Sequence, residues 1–148
     1  MIKNSIQRLE ELSKIIPPLI SSLDKKSLSF KTSPVKWSKK EILGHLIDSA
    51  SNNHQRFVRV QFEEIPFICY DQNKWNTYSY YNLLNSEDLI LFWTSYNVHL
   101  AALLKNIPEE NYTRLCKVGE TRIVTLEFLI TDYVEHLEHH LHQIVNYI

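Results

Sequence analysis

Four of the seven histidines stand in one short stretch, YVEHLEHHLHQIV, residues 133–145. A neutral imidazole offers a nitrogen lone pair to a divalent ion, so the chemistry these residues suggest is metal ligation. Which of them can act together depends on geometry. A helix turns by about 100° per residue, which gathers Leu126, Ile130, Tyr133, Leu137, Leu141, Ile144 and Ile148 into one apolar stripe. His136 and His140 then fall together, about 40° apart, on one flank of that stripe. His139 sits farther round and His142 roughly opposite the core. The i, i+4 spacing of His136 and His140 lets two imidazoles on one helix grip a single ion. The same spacing also suits two solvated or hydrogen-bonded histidines, so the pair needs a partner from elsewhere in the chain.

That partner is found in a second helical pattern. Its wheel places His45 on a flank of the apolar stripe, with Ile42 and Ser49 adjacent. Alone, His45 reads as a satisfied core histidine; taken jointly with His136 and His140 it reads as a third ligand. His54 falls on the other side of the stripe and His99 lies on a third helix without a companion, so both read as surface or hydrogen-bonded histidines.

The elements that must position these side chains follow from periodicity. Ile6, Leu9, Leu12, Ile15 and Ile16 recur at helical spacing over residues 4–23, where Pro17-Pro18 is expected to break or kink the helix. A second helix opens at Ser38-Lys39-Lys40-Glu41, a capping box, and runs to about residue 62. A third spans about 86–106, capped by Asn85 or Ser86 and stopped by Pro108. Thr125 caps a fourth that is expected to reach the C-terminus. The connection IPFICYDQNKWNTYSYYN is aromatic and aperiodic, and is expected to pack over the body of the protein. NYTRLCKVGETRIVT, with β-branched residues about Gly119, predicts a short hairpin. The whole reads as one all-α domain over residues 1–148, a four-helix bundle with long connections and a short β-hairpin before the last helix.

Composition narrows the function. Lys and Arg number 16 against 17 Asp and Glu, a net charge of −1, which leaves no basic surface for nucleic acid or an anionic membrane. No apolar run reaches the roughly 18–20 residues of a membrane span, and MIKNSIQRLEEL has neither the apolar core nor the cleavage site of a leader. Cys69 and Cys116 are far apart and form no CxxC, so they read as reduced thiols of a cytoplasmic protein. Only two glycines occur, which argues against hairpin-rich and dinucleotide-binding architectures.

Three stretches then carry a resemblance. KWSKKEILGHLIDSASNNHQRF has Trp37-Ser38 opening a helix, His45 eight residues after the Trp, Asp48 three later and Arg56-Phe57 beyond. PFICYDQNKWN carries Pro66, Tyr70-Asp71 and Trp75, and TLEFLITDYVEHLEHHLHQI carries the HxxxH pair. Together they resemble the DinB-like superfamily, and within it the YfiT-like branch, which includes bacillithiol transferases and proteins provisionally named metal-dependent hydrolases. The resemblance covers roughly residues 30–148 and, more loosely, the first helix. It implies a four-helix bundle holding one divalent metal through three histidines, which map onto His45, His136 and His140. Many relatives carry a further His three residues beyond the second ligand of the pair; this chain has Gln143 there.

Three neutral imidazoles leave at least one coordination position open, the mark of a catalytic rather than a closed structural site. Zn²⁺ or Ni²⁺ suits nitrogen ligands, with Fe²⁺ or Mn²⁺ as further options. A divalent ion lowers the pKa of a water or thiol in the open position. The resemblance therefore implies a thiol S-transferase of detoxification, using a low-molecular-weight thiol and a small electrophile. The alternatives are a hydrolase of an amide or ester, for which no HExxH supplies a base, and a non-catalytic metal-binding bundle. Asp48 lies one turn from His45, although the wheel points it away from the core. Asp132, one turn before His136, is either an orienting partner for an imidazole or a solvated carboxylate. Arg56, three turns beyond His45, either holds an anionic group of the cosubstrate or pairs with an acid on another helix. Tyr70, Asp71 and Trp75 are expected at the mouth of the pocket if the link covers the metal, and Trp37 reads as a core anchor. Exposed aromatics in the link, with the resemblance, point to a homodimer.

Overall fold

The computed structural model describes residues 1–148. Four long helices, α1 (Ile2–Ser21), α3 (Lys39–Arg59), α5 (Ser86–Lys105) and α6 (Leu126–Leu141), form the bundle. Two short helices, α2 (Lys25–Ser29) and α4 (Gln72–Ser79), lie in the connections. Strands β1 (Leu115–Lys117) and β2 (Ile123–Thr125) form the antiparallel hairpin about Gly119, with Cys116 opposite Val124.

Helix α1 packs against α5 and α6, and so does α3. The order round the bundle is therefore α1, α5, α3, α6, and the consecutive long helices α1 and α3 lie on one diagonal, as α5 and α6 do on the other. Such crossings need long connections, which is what residues 22–38 and the hairpin-bearing 106–125 provide. The core they enclose includes Leu9, Leu12, Ile16, Leu46, Phe57, Trp93, Leu100, Ile130 and Leu137, all fully buried. No helix is long and apolar enough to cross a membrane.

Two expectations about helix ends are corrected. Pro17 and Pro18 do not end α1, which continues to Ser21. Pro18 faces solvent and Pro17 is half-buried, while Ile16 and Ile20 beside them are fully buried. Packing on both sides of the pair holds the turn that lost its two amide donors. At the other end, α6 stops at Leu141 rather than continuing to the C-terminus. Ile144 and Val145 still reach the core, but Ile148, which an unbroken helix would bury, is exposed.

The long connection between α3 and α5 is more regular than its composition suggests. Asp71 caps α4, its carboxylate accepting from the amides of Asn73 (3.1 Å) and Lys74 (3.0 Å). Asn76 of α4 is buried and donates to the Glu41 carbonyl at 2.8 Å, which pins α4 onto the first turn of α3. Upstream, Ile68 N–H donates to the Lys117 carbonyl and Lys117 N–H to the Pro66 carbonyl, both at 3.0 Å, tying the link to the hairpin. Phe62, Phe67, Tyr78 and Tyr80 of this region remain exposed.

The start of α3 joins these parts. Ser38 Oγ accepts the Glu41 amide at 3.0 Å, and the Glu41 carboxylate accepts the Ser38 amide at 2.8 Å. The Ser38 hydroxyl also donates to Asn82 Oδ1 at 2.7 Å. Ser38→Ala removes the cap and this tether together. The expected loss is about 1–2 kcal/mol of folding free energy, read as a lowered midpoint in chemical denaturation; an unchanged midpoint would remove the cap from the account of α3.

Candidate metal centre

His45 lies in the second turn of α3 and is 1 % exposed. It stands on a buried polar stripe with Asp48, Ser49, Asn52 and Asn53, side chains that recur every three or four residues and so share one face. His136 and His140 come from α6, a neighbour of α3 in the bundle. The ligand nitrogens of the three histidines all lie within 4.8 Å of one another. The Nε2 atoms of His45 and His136 are 3.1 Å apart, and the ring centroids of His45 and His140 are 4.7 Å apart. A tetrahedral ion with bonds of about 2.1 Å to nitrogen separates its ligands by about 3.4 Å, so small ring rotations suffice to seat one.

The hydrogen bonds round the cluster favour the required tautomer. Gln143 Oε1, an acceptor, lies 3.3 Å from Nδ1 of His140, so this bond forms in the tautomer that carries the proton on Nδ1 and leaves the Nε2 lone pair free. Gln143 also contacts His139 at 3.2 Å through its own nitrogen. Gln143 is thus the residue whose side chain meets a ring of the cluster. Its signal in the sequence was its spacing, three residues beyond His140.

Burial keeps the imidazoles neutral. It pushes His45 down to about 3, with the neighbouring His136 and His140 adding to the effect. Burial likewise pushes His136 down to about 4 and lowers His140, where the bond to Gln143 opposes it. Neutral rings are what a metal requires of histidine. No carboxylate belongs to the cluster. Trp37 stacks at 4.9 Å on His45 with its plane tilted by 36°. It also lines a cleft of ≈ 450 Å³ with Ile42, Gln72, Asn73 and Gln143. Trp37 is therefore both packed against the core and in contact with the cluster.

The other residues singled out in the sequence fall as follows. Asp48 points into the protein, not away from it: it is 3 % exposed, and its Oδ1 accepts the Tyr81 hydroxyl at 2.5 Å. The wheel misplaced it because α4 and the turn after it cover a face of α3 that a lone helix would leave in water. Burial pushes its carboxyl up to about 6, against the bond from Tyr81. Tyr81 gets there by lying flat on Gly44, whose absent side chain leaves room: a Cβ on Gly44 would come within 2.1 Å of the Tyr81 ring. Asp132 is exposed on α6. Arg56 makes no interhelical ion pair; its guanidinium donates to the Ile68 carbonyl at 2.9 Å and to Asn53 Oδ1 at 3.2 Å. Tyr70 and Trp75 pack edge to face at 5.4 Å, and Gln72 and Asn73, rather than Asp71 or Trp75, line the cleft beside Trp37. His54 bonds the Tyr96 hydroxyl at 2.9 Å with His99 beside it, and both cysteines are free.

The model of the DinB superfamily matches residues 8–144. The chain belongs to the DinB superfamily. Among curated relatives is YfiT of Bacillus subtilis, provisionally named a metal-dependent hydrolase, 26% identical over 138 residues, which are 92% of this chain and 78% of that protein. A similarly named protein of Oceanobacillus iheyensis is 25% identical over 147 residues, 99% of this chain and 85% of its own. The solved structure of Bacillus subtilis YfiT, described as an unusual four-helix bundle topology, superposes with a TM-score of 0.87 over 97% of this chain and 83% of that one, at 25% identity. A mycothiol-dependent maleylpyruvate isomerase has a similar fold, with a TM-score of 0.78 at 11% identity, covering 97% of this chain and 60% of that one. The bundle thus matches the four-helix topology of YfiT, and a three-histidine cluster in a chain similar to proteins provisionally named metal-dependent points to a divalent metal.

Two expectations test the centre. The folded pKa values of the histidines lie below the unfolded value of 6.5, so the metal-free fold binds fewer protons than the unfolded chain. Its stability should be full above pH 6.5 and fall as the pH drops toward 3, read by denaturant titration in chelator; a flat profile across that window would show the rings to be solvated. Gly44→Ala should displace Tyr81 and cost about 2 kcal/mol by the same method, where an unchanged value would rule out the close approach.

Proposed function

We propose that this chain is a metal-dependent thiol S-transferase, in which His45, His136 and His140 hold one divalent ion beside the cleft lined by Trp37 and Gln143. The observation that carries the reading is an all-imidazole donor set, buried at His45 and half-buried at His136 and His140, with no carboxylate in it. Such a set binds zinc or nickel well, iron or manganese less selectively, and leaves coordination positions for an exogenous group. When bound, the ion supplies Lewis acidity that lowers the pKa of a low-molecular-weight thiol. The chain's own contribution is positional. Gln143 holds the His140 ring, burial keeps the histidines uncharged, and Trp37 walls one side of the approach. In the transfer, a sulfur–carbon bond forms on a small electrophile, the leaving group departs with its electron pair, and the thiol proton passes to solvent.

Hydrolysis is the second reading, favoured by the names of the curated relatives. It is less well served by the site. Cleaving an amide requires a proton for the departing amine, and no carboxyl belongs to the cluster to supply it: Asp48 is held through one oxygen by Tyr81, and Glu138 is paired with Arg8 at 2.7 Å. The isomerase shares only the fold, yet shows that this fold can serve a thiol-dependent reaction.

The test combines metal content with activity. Tag-free protein should carry about one divalent ion per chain by elemental mass spectrometry, and His136→Ala should lose it. The loaded wild type should consume cysteine, glutathione or bacillithiol in the presence of an electrophile such as 1-chloro-2,4-dinitrobenzene, with His136→Ala slower by at least ~100-fold. Equal rates in the two proteins would sink the assignment, and ester or amide cleavage without any thiol would favour the hydrolase.

A further inference from the structure

Two buried polar atoms beside the histidine cluster have no partner in the protein: Nδ1 of His45 and Oδ2 of Asp48. Their residues are 1 % and 3 % exposed, so bulk water does not satisfy them. They are also complementary, since an imidazole nitrogen can donate and a carboxylate oxygen can only accept. His45 and Asp48 are i and i+3 on α3, neighbours on the helix surface about 5–6 Å apart at Cβ. No direct hydrogen bond joins them, and a single ordered water is the group that can join a donor and an acceptor on neighbouring positions of a helix.

The carboxylate is held in place for this role. Tyr81 donates to Oδ1, and the close packing of its ring on Gly44 fixes the hydroxyl's position. One oxygen of Asp48 is thereby occupied and the other is left without a partner. We propose that Asp48, held by Tyr81, is the positioning residue for His45: through one bridging water its Oδ2 accepts the Nδ1 proton, which leaves the Nε2 lone pair directed at the metal centre. This mirrors the arrangement at His140, where Gln143 is the acceptor, and it gives the covering turn after α4 a function at the centre. The inference rests on the metal-site reading above, and its readouts do not depend on turnover.

Asp48→Asn changes the sign of the interaction while keeping the shape. The Tyr81 hydroxyl retains the amide oxygen as its acceptor, so the amide nitrogen, a donor, takes the place of Oδ2. The bridge then favours His45 as an acceptor at Nδ1, with the proton moved to Nε2, where it blocks ligation. Side-chain ¹⁵N shifts at pH 7.5 in metal-free protein should report Nδ1–H for His45 in the wild type and Nε2–H in Asp48→Asn. In the wild type, His136 would then donate across the 3.1 Å contact to His45 Nε2. Zinc affinity, measured against a chromophoric chelator, should fall by about 10–100-fold in the variant, with backbone spectra elsewhere unchanged. An unaltered tautomer with unaltered affinity overturns the proposal. So does an Nε2–H tautomer of His45 in the wild type, a result that does not require the variant to fold. Failure of the wild type to bind zinc at all overturns the metal centre itself, while the tautomer still decides the hydrogen bond.

Discussion

Three imidazoles can share one partly buried site only while none carries a charge. Burial enforces this, since a protonated ring among the others would be both desolvated and repelled. The neutral state in turn demands that each ring's remaining nitrogen meet a group of the right polarity. The buried polar stripe of α3, the acceptor on Gln143 and the cover provided by the link all answer to that demand. A bundle filled only with leucine and isoleucine would be easier to pack and would have no site.

The diagonal order of the helices serves the same constraint. Because α3 and α6 are neighbours while α1 and α3 are not, the histidine of the second long helix faces the pair on the last. The long connections that allow this order also do local work. The segment from Pro66 to Leu84 is fastened to the hairpin at one end, and at the other to the first turn of α3 through Asn76 and Asn82. It is consequently placed to cover the polar face of α3, and it is the source of Tyr81. The cap at Ser38 matters beyond helix formation, since Trp37 immediately precedes it and His45 stands about two turns on.

Charged groups near the centre are sorted by what they already hold. Glu138 is tied to Arg8 and so joins α6 to α1. Asp132 faces solvent. Arg56 is half-buried with its donors turned to a carbonyl and an amide, not to an acid. Asp48 alone is both deeply buried and half-satisfied, which is why a residue that looked peripheral on a helical wheel becomes the one with a role at the centre.

Much of this was legible in the residues. The periods of the long helices, the capping box at Ser38, the hairpin about Gly119 and the shared flank of His136 and His140 all follow from local stereochemistry, which sequence spacing encodes directly. So does the choice of His45 as a possible partner. Tertiary structure decided what local rules do not contain. It carried α1 through Pro17-Pro18 because core contacts outweighed two missing donors, and it ended α6 at Leu141. It turned Asp48 inward because a distant segment covered its face, and it let Tyr81 reach that carboxylate through the one place where Gly44 leaves room. Spacing along a helix specifies which residues share a face; only the packing of other elements specifies what that face meets.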